Sequence, residues 1–481
     1  MGRAQGDHAL PDHRHPVCAV QLDDVETQMT PQTFSVSGWQ VLVVGAARSG
    51  VAAAQLLARR GASVTLTDRK PDIPGAVELR AAGVRLELGG HTMRSFESAN
   101  LVVMSPGVPL ELPEVSRARA LGIPVIGELE LASRWLRGPI VAITGTKGKS
   151  TTTTLVGRML EAAGRRVMVG GNIGYPVSAQ VEASTADTVH VIEASSFQLE
   201  ATDTFRPWIA ALLNFSPDHL DRHPDAAAYA AAKTRIFANQ QAQDWAVVNA
   251  DSAEAMRMSR QTRAQVVRYG VDHTNEADIH AGRGFVWQRT SDGEVPLLPL
   301  AAVQLSGRHM LSNVVAATAI SHLAGATDAS LARALDGFTG LAHVMEPVGR
   351  RGGVRFVNDS KATNIDAAAR SIESFDKVVA IVGGKFKGGD FADLAAPLRA
   401  HGRAVVAIGE ARSLVRAALA EVVPVVDADT LADAVRKAWD LAVPDGVVLL
   451  APACSSFDMF VDYADRGTRF KEEVQRLIAE R

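Results

Sequence analysis

The sequence predicts an α/β chain of three domains, and three observations predict it. At 481 residues the chain is too long for one hydrophobic core, and its length suggests about three domains. Three blocks each open with a short branched apolar run, of the kind a parallel sheet buries on both faces. In one block a glycine- and lysine-containing loop and a helical stretch follow at once, the order that cradles a polyphosphate.

The first block, 37–127, begins with the strand 39–45, a small-residue loop and a helical run over 51–60. A second strand, 63–67, ends at Asp68. The loop Gly45-Ala46-Ala47-Arg48-Ser49-Gly50 keeps the outer glycines of G-x-G-x-x-G, but Ala47 replaces the middle one. Asp68 stands where a dinucleotide fold places its ribose acid. Two readings follow: an NAD(P) site with a defective fingerprint, or a crevice for another nucleotide. Ahead of this block, residues 1–36 contain Gly, Pro, His and acids but no apolar core of a signal peptide, and read as a disordered tail. His8, His13 and His15 within it suggest no more than adventitious metal affinity.

The second block, 128–340, carries the phosphate-loop candidate. An apolar run from Pro139 to Ala142 leads into Ile143-Thr144-Gly145-Thr146-Lys147-Gly148-Lys149-Ser150-Thr151, and a helix is expected over 152–163. Backbone N–H groups and the helix N-terminus would face the anion, Lys149 would reach the outer phosphates, and the Ser150 hydroxyl would ligate Mg²⁺. The first glycine of G-x-x-x-x-G-K-[ST] falls on Ile143, so the match is incomplete. Two further apolar strands, 189–196 and 210–214, end in polar residues. In open parallel sheets ligands sit beyond the carboxyl ends of strands, which puts Glu193 and the stretch 214–219 near Lys149. The alanine-rich stretch 226–239 reads as a helix containing Lys233.

The third block, 341–481, opens after a hinge at Gly340-Leu341-Ala342-His343 and shows strands at 354–359, 378–382, 405–409 and 446–451. Its strand ends carry Asp359-Ser360-Lys361-Ala362-Thr363-Asn364 and a glycine-flanked pair, Lys385 and Lys387. Such lysines suit an anion that backbone N–H groups approach closely; a solvated basic loop is the alternative.

Composition excludes several classes. A net charge of −3 gives no basic field for nucleic acid. Two cysteines, Cys18 and Cys454, make no disulfide framework and fit a reducing compartment. No apolar run approaches the roughly 20 residues of a membrane span. A cytoplasmic, monomeric chain is expected.

Three residues carry alternatives of their own. Glu193, ending a strand before two serines, is either a Mg²⁺ ligand beside Ser150 or a helix-capping acid. His219 is either a metal ligand or a satisfied turn histidine. Lys233, as an ordinary ammonium, has no lone pair and would repel a cation. Its bland reading is a solvent-facing helix lysine; only conversion to a carbamate by CO₂ would bring it into a metal site.

Eight motifs in order resemble the Mur ligases over about residues 37–481: 145–151, 171–174 (Gly-Asn-Ile-Gly), 193–200 (Glu-Ala-Ser-Ser-Phe-Gln-Leu-Glu), 214–221, 231–236, 305–307, 358–364 and 452–458. The last two resemble the branch that adds D-glutamate. The resemblance implies a Rossmann-like N-terminal domain binding a UDP-linked substrate, a P-loop-type central ATPase domain and a Rossmann-like C-terminal domain that closes with the amino acid. It implies an ATP-dependent ligase that joins D-glutamate to UDP-N-acetylmuramoyl-L-alanine through an acyl phosphate.

Residue by residue, the resemblance implies that Gly145, Thr146, Lys147, Gly148, Lys149, Ser150 and Thr151 hold the ATP phosphates. Ser150 and Glu193 would hold one Mg²⁺, and His219 with carbamylated Lys233 a second. Asn313 would lie near adenine and Asp359 near the ribose. Ser49, Arg69, Lys70, Ser105 and Asn172 would contact the UDP substrate. Lys361, Thr363, Lys387, Ser456, Phe457 and Tyr463 would receive D-glutamate. Arg48 and Arg69 stand where smaller groups are usual around uracil. The family usually follows the hinge histidine with an arginine that meets ATP phosphates; here His343 precedes Val344. Either Arg350 or Arg351 substitutes, or turnover is weakened. The competing readings are a sister ligase or folylpolyglutamate synthetase, a regulatory nucleotide-binding protein that keeps the fold, and a dehydrogenase.

Overall fold

The computed structural model describes residues 34–219, 222–272, 275–305, 307–386 and 388–480. His8, His13, His15, Cys18 and Lys387 lie outside the described residues. Residues 34–36, which the sequence assigns to the tail, belong to the first core: Val36 is buried, and the Phe34 carbonyl accepts a hydrogen bond of 2.9 Å from Trp135 Nε1. The chain forms two compact units, Met1–Val303 with Ser312–Asp336, and Gln304–Leu311 with Gly337–Arg481. The segment Gln304–Leu311, read from sequence as part of the central block, therefore packs with the C-terminal sheet.

The first unit holds two sheets. β1 (Gln40–Val44), β2 (Ser63–Asp68), β3 (Arg85–Leu88), β4 (Leu101–Met104) and β5 (Val125–Gly127) pair in the order β3-β2-β1-β4-β5. Every pairing is parallel. Strand order reverses between β1 and β4, which opens a crevice at their carboxyl ends. There Ser105 Oγ donates to the Gly45 carbonyl at 2.8 Å. A Cβ at Gly50 would lie 1.8 Å from the Gly45 oxygen, so only glycine lets the helix Arg48–Arg59 start this close to β1.

The second sheet comprises β6 (Ile140–Thr144), β7 (Arg166–Gly171), β8 (Thr188–Glu193), β9 (Ile209–Leu212), β10 (Trp245–Asn249), β11 (Gln265–Gly270), β12 (Ile279–Gly282), β13 (Phe285–Thr290) and β14 (Gly293–Pro299). Its order, β14-β13-β12-β11-β10-β9-β6-β8-β7, sets β6 between β8 and β9, all three parallel and buried. From sequence this block is an open parallel sheet whose expected strands end at 214; β12 joins β11 in parallel, and β13 and β14 then add antiparallel. Two-residue turns at Arg283–Gly284 and Ser291–Asp292 make those pairings cheap in chain length.

In the second unit, β15 (Glu346–Arg351), β16 (Val354–Asn358), β17 (Val378–Gly383), β18 (Gly402–Ile408), β19 (Val425–Asp427) and β20 (Val447–Leu450) run in the order β15-β16-β20-β17-β18-β19. Only β15 is antiparallel. β17 is buried along its whole length, with apolar clusters on both faces of the sheet.

Candidate active site

The loop after β6 is set by two backbone conformations that side chains resist. Gly145 has φ +153° and Gly148 φ +80°. A Cβ on Gly148 would meet Asn313 Oδ1 at 2.2 Å, which places Asn313 against the loop. The helix begins at Lys149, three residues earlier than predicted, because left-handed Gly148 serves as its N-cap. Lys149, Ser150 and Thr151 therefore occupy the positive end of the helix dipole.

The neighbouring strand ends hold this loop. Lys147 N–H donates to Asn214 Oδ1 at 2.9 Å, and Asn214 Nδ2 donates back to the Lys147 carbonyl at 3.0 Å. Thr146 Oγ1 donates to the Ser216 carbonyl at 3.0 Å, and Ser216 N–H donates to Thr146 Oγ1 at 3.1 Å. The stretch after β9 thus lies beside the phosphate loop, as the strand-end argument expects.

Two lysines converge on one oxygen. Lys149 Nζ donates to the carbonyls of Gly145 at 2.9 Å and Thr146 at 3.0 Å, while Lys233 Nζ donates to Gly145 at 2.9 Å. Lys233 is 1 % exposed, which overturns the solvent-facing reading. Its helix, Ala226–Thr234, is capped by the Asp225 side chain and turns the lysine inward beside Tyr229, whose ring centroid is 4.6 Å from Nζ. Burial and the Lys149 charge hold the Lys233 amine well below the usual lysine range, with Asp218 and Glu193 pulling the other way.

Glu193 is buried at the end of β8. Its Oε1 accepts 2.7 Å from Asn172 Nδ2, and its buried Oε2 has no hydrogen-bond partner. The capping alternative fails, because Ser195 caps the next short helix reciprocally with Gln198. An orphaned carboxylate oxygen one strand from Lys149 and Ser150 fits a hard cation, whose ligands are oxygens. Among the described residues no three His, Cys, Asp or Glu side chains cluster as a ready-made metal centre. His219 has φ +55°, is half exposed, and packs its ring 5.0 Å from Phe197. Its carbonyl accepts from the N–H groups of Arg222 and His223, which holds the turn.

Around the first sheet, Asp68 does not present its carboxylate to a ribose. Oδ2 accepts from Ala46 N–H at 2.6 Å and Oδ1 from Lys70 N–H at 2.9 Å, which pins the glycine loop to β2. These bonds, against the opposing effect of burial, keep its carboxyl below the usual range. Ser49 is half-buried in the first turn of its helix, Arg69 and Lys70 are exposed beyond β2, and Ser105 is buried under the loop. Arg48 donates to the Gly174 carbonyl in the loop that carries Asn172.

The second unit gathers its own set. Asp359 is buried and accepts from Met345 N–H at 3.2 Å and from the Ser371 hydroxyl. Lys361 N–H donates to the His343 carbonyl at 3.1 Å, and Thr363 N–H to the Lys361 carbonyl at 2.8 Å. Ser456 is buried, while Phe457 and Tyr463 are exposed. Sequence reasoning missed Arg466, which is wholly buried. Its guanidinium donates to Ser360 Oγ at 2.9 Å, the Ser360 carbonyl at 2.8 Å and the Cys454 carbonyl at 3.2 Å, tying together the strand ends that carry Lys361 and Ser456. Burial lowers the arginine to about 10. The Asp-Arg-Gly at 465–467, one helical turn into Tyr463–Ala479, was the available signal.

A cavity of about 430 Å³ in this unit is lined by Leu305, Met310, Val344, Arg350, Arg355 and Phe375, among others. Arg351, one residue along β15, turns away: it donates to the Leu477 carbonyl, lies 3.7 Å from Glu480 and stacks 4.7 Å from the Trp439 ring.

Comparison with known proteins accords with this arrangement. Residues 39–127 match the Mur ligase MurD-like N-terminal domain, 143–321 the Mur ligase middle domain and 345–454 the Mur ligase glutamate ligase domain. The UDP-N-acetylmuramoylalanine--D-glutamate ligase of Acidobacterium capsulatum is 44% identical over 92% of this chain and 97% of its own length. The enzyme of that name from Pelotomaculum thermopropionicum is 44% identical over 91% and 98%. Among solved structures, a pseudomurein peptide ligase type C from Methanothermus fervidus superposes with a TM-score of 0.58 at 15% identity, covering 92% of this chain and 100% of its own. The UDP-N-acetylmuramate-alanine ligase of Thermotoga maritima gives 0.56 at 19%, covering 91% and 100%, and these two likenesses speak for the fold alone. With its three α/β sheets, its phosphate loop and relatives that share more than two-fifths of its residues along nearly their whole length, this chain belongs to the Mur ligase family.

Proposed function

We propose that the protein joins D-glutamate to UDP-N-acetylmuramoyl-L-alanine at the expense of ATP, in peptidoglycan precursor synthesis. The observation that carries this reading is the convergence of Lys149 and Lys233 on the Gly145 carbonyl, beside the orphaned oxygen of Glu193. That constellation suits phosphoryl transfer, where positioning and charge neutralisation do most of the catalytic work. Relatives bearing the ligase name supply the substrates.

A carboxylate is a poor electrophile. Its oxygen attacks the γ-phosphorus of ATP and ADP leaves, giving an acyl phosphate. The uncharged amine of D-glutamate then adds to the acyl carbon, and collapse of the tetrahedral intermediate expels phosphate, loses the amine proton and leaves an amide. Lys149 and the N–H groups of 146–151 bind and orient the phosphates, with Asn313 toward adenine and Asp359 toward the ribose. Ser150 and Glu193 would hold one Mg²⁺, and His219 with a Lys233 carbamate a second, and these ions would supply further charge neutralisation. The depressed basicity of Lys233 supports the carbamate, because an uncharged amine has the lone pair that CO₂ requires.

Ser49, Arg69, Lys70, Ser105 and Asn172 serve the UDP end; Lys361, Thr363, Lys387, Ser456, Phe457 and Tyr463 serve D-glutamate, whose two carboxylates call for lysines and hydroxyls. Working domains near 37–127, 128–340 and 341–481 suit this division of labour, with 34–36 added to the first and 304–311 packing with the last. The phosphate-loop lysines, Asn172 and Glu193 meet within one unit of one chain, so the central site needs no second copy, which supports a monomer. ATP and a nucleotide-linked substrate support a cytoplasmic setting, and among the described residues no helix is long and apolar enough to cross a membrane. Arg350 is the stand-in for the arginine missing at Val344, since these two line one cavity.

The test is phosphate release from ATP and Mg²⁺ with UDP-N-acetylmuramoyl-L-alanine, offered D-glutamate, L-glutamate or other amino acids. Release requiring D-glutamate, with the amide product found by mass, is expected. Release with another amino acid moves the protein to a different branch, and no release with any pair defeats the reading.

A further inference from the structure

Phe197, four residues beyond Glu193, is a hub. His219 meets it edge-on at 5.0 Å, His223 stacks on it at 5.3 Å with 19° between planes, and the Arg222 guanidinium lies 5.0 Å from its centroid. Arg222 does more than pack. Its Nη2 donates to the Val108 carbonyl at 2.8 Å, and Nη1 reaches the Gly107 carbonyl at 3.4 Å. The Glu200 carboxylate lies 3.6 Å from Nη2. Both Arg222 and Glu200 are less than one-fifth exposed.

The turn that Arg222 grips belongs to the first sheet. Val108 N–H donates to the Ser105 carbonyl at 3.0 Å, Ser105 Oγ fastens the turn to Gly45, and a Cβ at Gly45 would press within 2.6 Å of Val108. One guanidinium therefore joins two places: the strand-end crevice of the first sheet, and the turn of the second sheet that presents His219. Their separation in sequence, 114 residues between Arg222 and Val108, means that no local structure sets this distance. A planar fork placed over an aromatic ring can satisfy two adjacent carbonyls at once, which a lysine ammonium cannot do with the same geometry.

We propose that Arg222 is a positioning residue that locks the turn 105–108 to the His219 turn, and so sets where the reacting end of the nucleotide-sugar substrate lies relative to the phosphate loop. This rests on the reading above that the first-sheet crevice takes that substrate. Arg222 touches neither ATP phosphates nor amino acid in this scheme, so its loss acts on one substrate alone.

The experiment measures KM for each of three substrates, kcat and thermal midpoint in the full chain with Arg222→Met and Arg222→Lys. In Arg222→Met, KM for UDP-N-acetylmuramoyl-L-alanine rises about tenfold and kcat falls, while KM for ATP and for the amino acid stays within twofold. Arg222→Lys, retaining charge but one bond, lies between. An unchanged nucleotide-sugar KM overturns the proposal, as does an equal rise for all three substrates, which is the mark of general loosening. If Arg222→Met does not fold, Arg222→Lys decides by the same criterion. Wild-type protein that turns over no nucleotide sugar defeats the functional reading instead, so the two failures are told apart.

Discussion

Lys149 and Lys233, 84 positions apart by their numbers, donate to the same oxygen, the carbonyl of Gly145, each at 2.9 Å. Burial disfavours an ammonium at Lys233, and the nearby Lys149 charge adds to the effect, so the basicity of Lys233 falls. An uncharged Nζ attacks CO₂, loses a proton and becomes a carbamate. Protein equilibrated with ¹³C-bicarbonate therefore shows a carbamate carbonyl resonance that Lys233→Arg lacks, and that variant loses at least about 10²-fold in kcat. An active wild-type protein without the resonance refutes the carbamate.

Glu193 keeps one oxygen on Asn172 and holds the other in a buried place with no partner. Glu193→Gln preserves the first contact and puts an amide where a cation is expected. The Mg²⁺ concentration for half-maximal phosphate release rises, and kcat drops by about 10²–10³. Activity within twofold of wild type across the Mg²⁺ titration speaks against a metal ligand here.

Strand alternation separates Arg350 from Arg351. Arg350 faces the cavity with Val344, whereas Arg351 is engaged by Leu477, Glu480 and Trp439. Arg350→Ala raises KM for ATP about tenfold with little change in thermal midpoint. Arg351→Ala does the reverse, lowering the midpoint and sparing KM. The opposite pairing of effects assigns the substitution to Arg351.

Glu130 organises the connection between the first two sheets. Its carboxylate is wholly buried and accepts from the N–H groups of Asp203, Thr204 and Phe205, from Thr204 Oγ1 at 2.6 Å and from Arg134 Nε at 2.8 Å. Burial pushes its carboxyl up, but these bonds outweigh it and the net shift is downward. Glu130→Ala strands three backbone N–H groups, the Thr204 hydroxyl and an arginine, and costs about 3–5 kcal/mol in urea unfolding. A loss under 1 kcal/mol, set by the same scale, shows the donors find water instead.

His190, buried in the middle sheet with Nε2 on Ser184 Oγ at 2.8 Å, is lowered by burial to about 4 from an ordinary 6.5. Between those values the unfolded chain binds a proton that the native chain does not. Stability is therefore unaffected above pH 6.5 and declines as pH falls toward 4, by at most about 3 kcal/mol from this residue. The urea midpoint of His190→Phe changes less with pH across that window. Parallel curves for variant and wild type exclude His190 as the source.

Much of this molecule is legible in its residue order. Branched apolar runs such as Ile140–Thr144 and Val378–Gly383 can only be strands buried on both faces, and a glycine-lysine-serine turn between strand and helix leaves few arrangements for the backbone. Both are local: the free energy that selects them is spent within about ten residues. The added strands β12–β14 escaped because sequence patterning does not say which sheet edge a hairpin joins.

Lys233 marks the boundary between the two kinds of information. Alanines around it on the helix Ala226–Thr234 leave no amphipathic stripe to say which face is inward, so composition alone favours solvent. Asp225, Tyr229 and the loop after β6 decide otherwise, and with burial comes the lowered basicity on which its proposed chemistry depends. Arg466 and Arg222 are hidden for the same reason: each acts through carbonyl oxygens contributed by distant segments. The three α/β blocks, their order and the phosphate loop are readable from residue order, because hydrophobic period and glycine backbone freedom act over short stretches. Which cations are buried, which carboxylate oxygen is left without a donor and which turns are clamped together depend on packing, because desolvation and long-range hydrogen bonds exist only once distant segments meet.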